Sequence, residues 1–188
     1  EELVIECERL VKASNLQAPK ILEIGTGTGC VAIALAQLLP QATVFATDIS
    51  DKALKLAENN AIANHVGNRV RFVREDLFSG KLNLRGWADL LVSNPPYIPT
   101  GKLDLLEPEV QAEPRLALDG GKDGLDALRA IVLMASKMVK SGGFVALEIG
   151  SEQGEPVSRM MSAAGFTGVH VKKDAQGHER TAFGRLPA

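Results

Sequence analysis

The sequence predicts an α/β fold, a doubly wound, mostly parallel seven-stranded sheet that closes at one edge with an antiparallel C-terminal hairpin. Three observations predict it. Apolar runs of strand length alternate with amphipathic runs of helical length. The central strand runs are continuously apolar, as strands buried on both faces must be. The last two strand runs are separated only by "DAQGHE", short enough for a hairpin.

Residues 2–14 place Leu3, Val4, Cys7, Leu10 and Val11 on one helical face. "KILEIG" (20–25) reads as a buried strand, followed by the turn "TGTG" and the helical run "CVAIALAQLL" (30–39). "ATVFATD" (42–48) is the second strand, and 50–64 a helix with Ser50 as its N-cap. "RVRFVRED" (69–76) and "ADLLVSN" (88–94) are the third and fourth strands. A helix over 124–139, a strand over 143–150, a helix near 153–164 and strands over 168–173 and 180–186 complete the series. Gly142 and Gly143 read as the stop of the 124–139 helix. No repeat or linker interrupts the chain, so 1–188 is expected to be one domain.

With 188 residues and 45% hydrophobic content, the chain can bury a sizeable core. A net charge of −2 argues against a large nucleic-acid footprint, which usually needs a basic face. Two cysteines, Cys7 and Cys30, give no disulfide framework and read as buried thiols in a reducing compartment. His65, His170 and His178 are scattered, with no metal-ligand spacing, so no metal site is expected. No apolar stretch approaches the ~20 residues of a membrane span, and no signal peptide opens the chain. The expected location is the cytoplasm, or an organellar matrix where a targeting segment has been removed.

Doubly wound sheets bind ligands beyond the carboxyl ends of their strands, and there the polar residues stand out. After the first strand, "EIGTGTG" carries Gly25, Gly27 and Gly29, which allow positive φ and let a ligand approach the backbone where a helix begins. Asp48 follows the second strand, nineteen residues beyond Gly29, and can accept from both hydroxyls of a ribose. Asp76, after the third strand, can accept from an adenine amino group. Together these indicate an adenosine-containing cofactor. "GTGCVA" (27–32) also fits G-x-G-x-x-A, a nicotinamide dinucleotide fingerprint. Glu23 opposes that reading, because an anion two residues before Gly25 suits a cationic amino group better than a pyrophosphate.

"NPPY" follows the fourth strand. Pro95 and Pro96 have no N–H, so their carbonyls are acceptors without competing donors. Each proline holds the preceding residue extended. The Asn94 side chain adds an amide oxygen as acceptor, and Tyr97 a flat face. Such a surface suits a planar NH₂ that must donate both protons. A delocalised amine is a poor nucleophile, and two fixed acceptors favour it as it turns tetrahedral while attacking an electrophile such as a sulfonium methyl. Asn94 and Pro95 are thus candidates for orientation and charge stabilisation, with no general-base role.

These motifs resemble the catalytic domain of the release-factor glutamine methyltransferases, within the class I S-adenosylmethionine-dependent methyltransferases. The similarity runs through "EIGTGTG", Asp48, "VREDLF", "VSNPPYIP", "EPRLALDGGKDGL" (113–125), "LEIGSEQG" (147–154) and "GHERTAFGR" (177–185). The resemblance implies a Rossmann-like methyltransferase fold that transfers the methyl group of S-adenosylmethionine to the side-chain amide of the glutamine in the Gly-Gly-Gln motif of a peptide chain release factor. It places Gly25, Thr26, Gly27, Thr28, Gly29, Asp48, Asp76, Leu77 and Asn94 around the cofactor, where the charge of Glu23 also puts that residue among the cofactor-binding candidates. It places Asn94, Pro95, Pro96 and Tyr97 around the glutamine, with Asn94, Pro95 and Tyr97 in the catalytic roles. Ala112 stands where the family usually has an aromatic residue, and the small helical domain that precedes the family's catalytic domain is absent from this chain.

Three other functions compete. A nucleic-acid amino-methyltransferase would use the same acceptor pair on adenine or guanine, but needs a basic recognition element. A non-catalytic S-adenosylmethionine-binding module would not need an acceptor-lined amine site, and a nicotinamide dehydrogenase would need hydride-transfer residues. Residues 98–122, with three prolines and no hydrophobic period, are too long for a plain turn and read as a flap over the site. Arg180 and Arg185 read as surface charges on an edge strand; Glu148 lies near the cleft by topology, without an assigned role.

Overall fold

The computed structural model describes all 188 residues. Helix α1 (Glu2–Ala13) leads into β1 (Lys20–Ile24), α2 (Cys30–Leu38), β2 (Thr43–Asp48), α3 (Asp51–Ala63) and β3 (Val70–Arg74). After a 3₁₀ turn at Leu77–Ser79 come β4 (Ala88–Ser93), a second 3₁₀ turn (Thr100–Leu105), and the one-turn helices α4 (Pro108–Gln111) and α5 (Arg115–Leu118). The chain ends through α6 (Asp126–Met138), β5 (Val139–Glu148), α7 (Gly154–Ala163), β6 (Thr167–Lys173) and β7 (Glu179–Arg185). No helix is long and apolar enough to cross a membrane.

The seven strands lie in the order β3-β2-β1-β4-β5-β7-β6. The first five are mutually parallel, and β7 runs antiparallel to both β5 and β6. Successive side chains of a strand point to opposite faces, so the buried strands feed two separate cores. Ile21, Val44, Leu90, Val92 and Ala146 pack with α1, α2 and α3. Leu22, Leu91, Val145 and Leu147 pack with α6 and α7. A slip of one residue would exchange the two sets, which fixes the register. Ser50 caps α3 as expected, its hydroxyl accepting from the Ala53 N–H at 3.2 Å.

Three expectations need correction. The glycine pair does not stop a helix: α6 ends at Met138, β5 begins at once, and Gly142 and Gly143 lie inside the strand. The β4–β5 register shifts there. Gly142 adopts φ +78°, and a Cβ on Gly143 would sit 2.7 Å from Val139 Cγ1 and 2.9 Å from the Asp89 carbonyl oxygen. The pair therefore forms an irregularity that lets β5 start early. Second, β7 is not an edge strand, because β6 covers its outer side. Third, only Cys7 is buried; Cys30, in the open first turn of α2, is exposed.

The core carries the stability, and Leu128 of α6 is fully buried in the second cluster. Leu128→Ala is expected to cost about 2–5 kcal/mol, read as a lower urea midpoint with an unchanged slope.

Candidate active site

Strand register assembles the site. Ile24 of β1 pairs with Thr47 of β2 and Ser93 of β4, and Ser93 pairs with Leu147 of β5. One residue beyond this row stand Asp48, Gly25, Asn94 and Glu148, brought to one rim of the sheet where the strand order reverses.

The glycine turn is fastened from several sides. Its Gly25, Gly27 and Gly29 have φ of 71°, 56° and 84°. A Cβ on Gly25 or Gly27 would meet nothing within 4 Å, so bare backbone faces open space. Gly29 differs, because a Cβ there would press on Ala57 Cβ at 3.0 Å; it lets α2 approach α3. The Thr26 N–H donates to the Thr47 carbonyl at 2.9 Å, and Asn60 donates to the Thr28 carbonyl at 2.9 Å. Asp48 accepts from the Gly27 N–H at 2.8 Å through one oxygen and from the Ser50 N–H at 2.9 Å through the other. Its carboxylate thus shapes the turn and keeps lone pairs for a ligand.

Glu23 lies beneath the turn, 2% exposed, where it accepts the Thr26 hydroxyl at 2.7 Å. Burial pushes its carboxyl up to about 8, opposed by the Thr26 and Ala32 hydrogen bonds and reinforced by the charge of Asp48. Asp76 is exposed and caps the 3₁₀ turn by accepting from the Phe78 N–H at 2.9 Å, while Leu77 leans on the core. Thr28 is exposed, its hydroxyl 3.1 Å from the Cys30 sulfur.

Past Ser93, whose hydroxyl donates to the Ile24 carbonyl at 2.7 Å, Asn94 stands exposed, Pro95 is buried, and Pro96 and Tyr97 are half-buried. Gln153, 8% exposed, secures this segment: its amide nitrogen donates to the carbonyls of Tyr97 at 3.0 Å and Gly124 at 3.1 Å, and its oxygen accepts from the Gly150 N–H at 2.9 Å. Gly124 has φ +77°, and a Cβ there would lie 2.4 Å from the Tyr97 carbonyl oxygen. Sequence reasoning missed Gln153, because its partners lie 56 and 29 residues away.

Residues 98–122 are a string of turns strapped to this segment. Ile98 bridges to Asp119, and the Thr100 hydroxyl donates to Asp119 at 2.6 Å. That hydrogen bond comes first among the causes that hold the Asp119 carboxyl below its usual range. Phe78, Pro96, Arg115, Leu116 and Ala127 help line an open cleft of about 470 Å³ here. A cleft of about 570 Å³ lies at the other end of the sheet, among Leu10, Leu16, Asp89 and Phe144. Its lining includes none of the candidate residues, so the strand-end rim is the stronger site. The two arginines separate likewise: Arg185 donates to the Gly142 carbonyl at 2.9 Å near that distant cleft, whereas Arg180 donates to Asp174 at 3.3 Å and its carbonyl accepts from the Ile149 N–H at 2.9 Å.

The sheet order and the strand-end rim define a Rossmann-like domain of the methyltransferase type. Among solved structures, a methyltransferase from Pyrococcus furiosus superposes with a TM-score of 0.70 at 19% identity, covering 98% of this chain and 83% of that one. A ribosomal-protein methylase from Lactobacillus delbrueckii gives 0.68 at 20% identity, covering 98% and 77%. The methyltransferase small domain family matches residues 7–110, and the chain belongs to that family. A release factor glutamine methyltransferase of Moorella thermoacetica is 42% identical over 95% of the chain, and one of Geobacter sulfurreducens 43% identical over 98%. The chain spans 62% and 63% of their lengths, and 32% of a bifunctional methyltransferase of Rickettsia felis to which it is 41% identical.

Two outcomes follow from the buried contacts. Because the folded carboxyl of Glu23 binds its proton up to about 8 while the unfolded one releases it near 4.5, folding loses stability as pH rises between those values. The melting-temperature advantage of Glu23→Gln over the parent should therefore grow from pH 5 to pH 8, by on the order of several degrees. Gly124→Ala should cost about 1–3 kcal/mol in chemical denaturation. Gly165→Ala, at φ +94° with nothing within 4 Å, should cost less.

Proposed function

We propose that this chain is the catalytic domain of a release-factor glutamine methyltransferase, moving the methyl group of S-adenosylmethionine to the side-chain amide nitrogen of the glutamine in a Gly-Gly-Gln motif. The reading is carried by the position of the Asn94–Tyr97 segment, whose two prolines have no N–H. It starts one residue past Ser93, beside the open glycine turn, in a chain 42% and 43% identical to proteins named for that reaction. On this reading the partner is the release factor, a protein, and the reaction belongs to the cytoplasm, where translation ends.

The residues fit the cofactor. Bare backbone at Gly25 and Gly27 offers a cradle that side chains would fill. Asp48 has lone pairs left for ribose hydroxyls, and one oxygen of Asp76 is not engaged in capping. Thr26 and Thr28 flank the cradle, Leu77 offers an apolar surface beside Asp76, and Glu23 acts from beneath by fixing the Thr26 hydroxyl. When bound, S-adenosylmethionine supplies an electrophilic methyl on a good leaving group.

The chain's own residues then hold the acceptor. The Asn94 amide oxygen and the Pro95 carbonyl accept the two N–H bonds of the glutamine amide, and Pro96 presents no competing donor. As the nitrogen becomes tetrahedral and gains positive character, both acceptors interact more strongly, so their effect falls on the barrier. The Tyr97 ring holds the amide plane. Asn94 has no basicity to offer, so the displaced proton leaves to water.

The test is peptide mass spectrometry of a release factor incubated with this chain and S-adenosylmethionine, beside a full-length relative as control. We expect the mass of one CH₂ on the Gly-Gly-Gln glutamine, and a loss of about 10²-fold or more in rate for Asn94→Ala with cofactor affinity largely kept. Cofactor binding without methylation of any release factor that the relative modifies would overturn the reading.

A further inference from the structure

A chain segment that offers its carbonyls to a ligand needs support from elsewhere. Pro95 and Pro96 lie beyond the end of β4, and no backbone hydrogen bond uses either carbonyl. Neither proline has an N–H to anchor. Such a segment is held at its ends. The near end is buried Ser93, which pairs with Ile24 of β1 and donates its hydroxyl to the Ile24 carbonyl at 2.7 Å. At the far end no backbone N–H takes the Tyr97 carbonyl, and the Gln153 amide nitrogen donates to it at 3.0 Å. From Ile98 onward the strapped segment takes over. The Ile98 N–H donates to the Leu118 carbonyl at 3.0 Å, and its carbonyl accepts from the Gly120 N–H at 2.9 Å.

Gln153 is itself fixed in place. Its main-chain N–H donates to the Gly150 carbonyl at 3.0 Å, and its amide oxygen accepts from the Gly150 N–H at 2.9 Å. With the oxygen committed, both amide protons are left for carbonyls, those of Tyr97 and Gly124. A flipped amide would lose all three bonds. Gly124 can come this close because it lacks a side chain: a Cβ there would lie 2.4 Å from the Tyr97 carbonyl oxygen and 2.8 Å from Gln153 Nε2.

We propose that Gln153 is a positioning residue for methyl transfer, a tether on the Tyr97 carbonyl that fixes the far end of the Asn94–Tyr97 segment and so the aim of the Asn94 and Pro95 acceptors. That those acceptors receive a glutamine amide rests on the function proposed above; the tether itself does not. A misplacement of about 1 Å in a reacting geometry costs on the order of 10²-fold in rate. The cofactor cradle is fastened separately, by Asp48 and the Thr47 carbonyl, so losing the tether leaves it in place.

Tyr97 is the only tyrosine, so tyrosine labelled at its carbonyl carbon gives a single NMR resonance that reports this bond. We expect Gln153→Met and Gly124→Ala each to displace it, and Gly165→Ala, in open space, to leave it unmoved. In methyl transfer the first two should each lower kcat by about tenfold or more, with KM and cofactor affinity changed by less than about threefold. Because both break one hydrogen bond, the double variant should be slowed by far less than the product of the single losses. Leu128→Ala, which weakens the core away from the tether, should keep the kcat of its folded fraction. Gly124→Ala carries the test if Gln153→Met does not fold. An unmoved resonance, a kcat within about twofold of the parent, or losses that multiply in the double variant would overturn the tether. Displaced resonances with no methyl transfer by the parent would support the tether and count against the functional reading alone.

Discussion

Parallel registration of four strands is the constraint on which the rest depends. The row Thr47–Ile24–Ser93–Leu147 brings four strands to the same level, and each delivers its next residue to a common rim. None of those four residues is near another in sequence, so no local signal assembles them. The register is held by the two cores instead: Leu90 and Leu91 are both fully buried but on opposite faces, and neither face tolerates the other's pattern. Fold stability and site geometry are one property here.

Beyond the rim, side chains fix backbone. Asp48 receives two N–H groups, Ser93 reaches back to β1, and Gln153 joins Tyr97, Gly124 and Gly150. Each is a polar group used to hold a turn in place before any ligand arrives, which lowers the cost of ordering it afterwards. Glu23 extends the pattern underground. A buried carboxyl that keeps its proton near neutral pH donates or accepts without placing a full charge under the glycine turn.

Much of this was legible in the sequence, and the misses share a cause. Strand and helix runs show in hydrophobic periodicity because burial is a local pattern, and the glycine turn, Asp48, Asp76 and the Asn94–Tyr97 segment follow strands that can be seen. Gln153 could not be read, since an uncharged residue before a helix has no distinguishing neighbours in sequence. β7 looked like an outer strand because a hairpin does not say which of its two strands joins the sheet; the pairing of β7 with β5 puts β6 at the edge instead. The glycine pair inside β5 resembled a helix stop because a left-handed glycine serves either purpose, and the packing against Asp89 and Val139 decides which. The turns of 98–122 lack periodicity because much of their order comes from bonds back to Ile98 and Thr100.

The order of strands also sets a timetable. β7 is the last strand in the chain, yet it fills an interior place between β5 and β6. As the polypeptide leaves the ribosome, β5 has an open hydrogen-bonding edge until residues 179–185 emerge, and β6 has no neighbour to join. The domain therefore cannot close progressively from its N-terminus, and the nascent sheet carries an unpaired edge of the kind that recruits foreign strands. Completion of the sheet and arrival of Arg180 at the rim are the same late event.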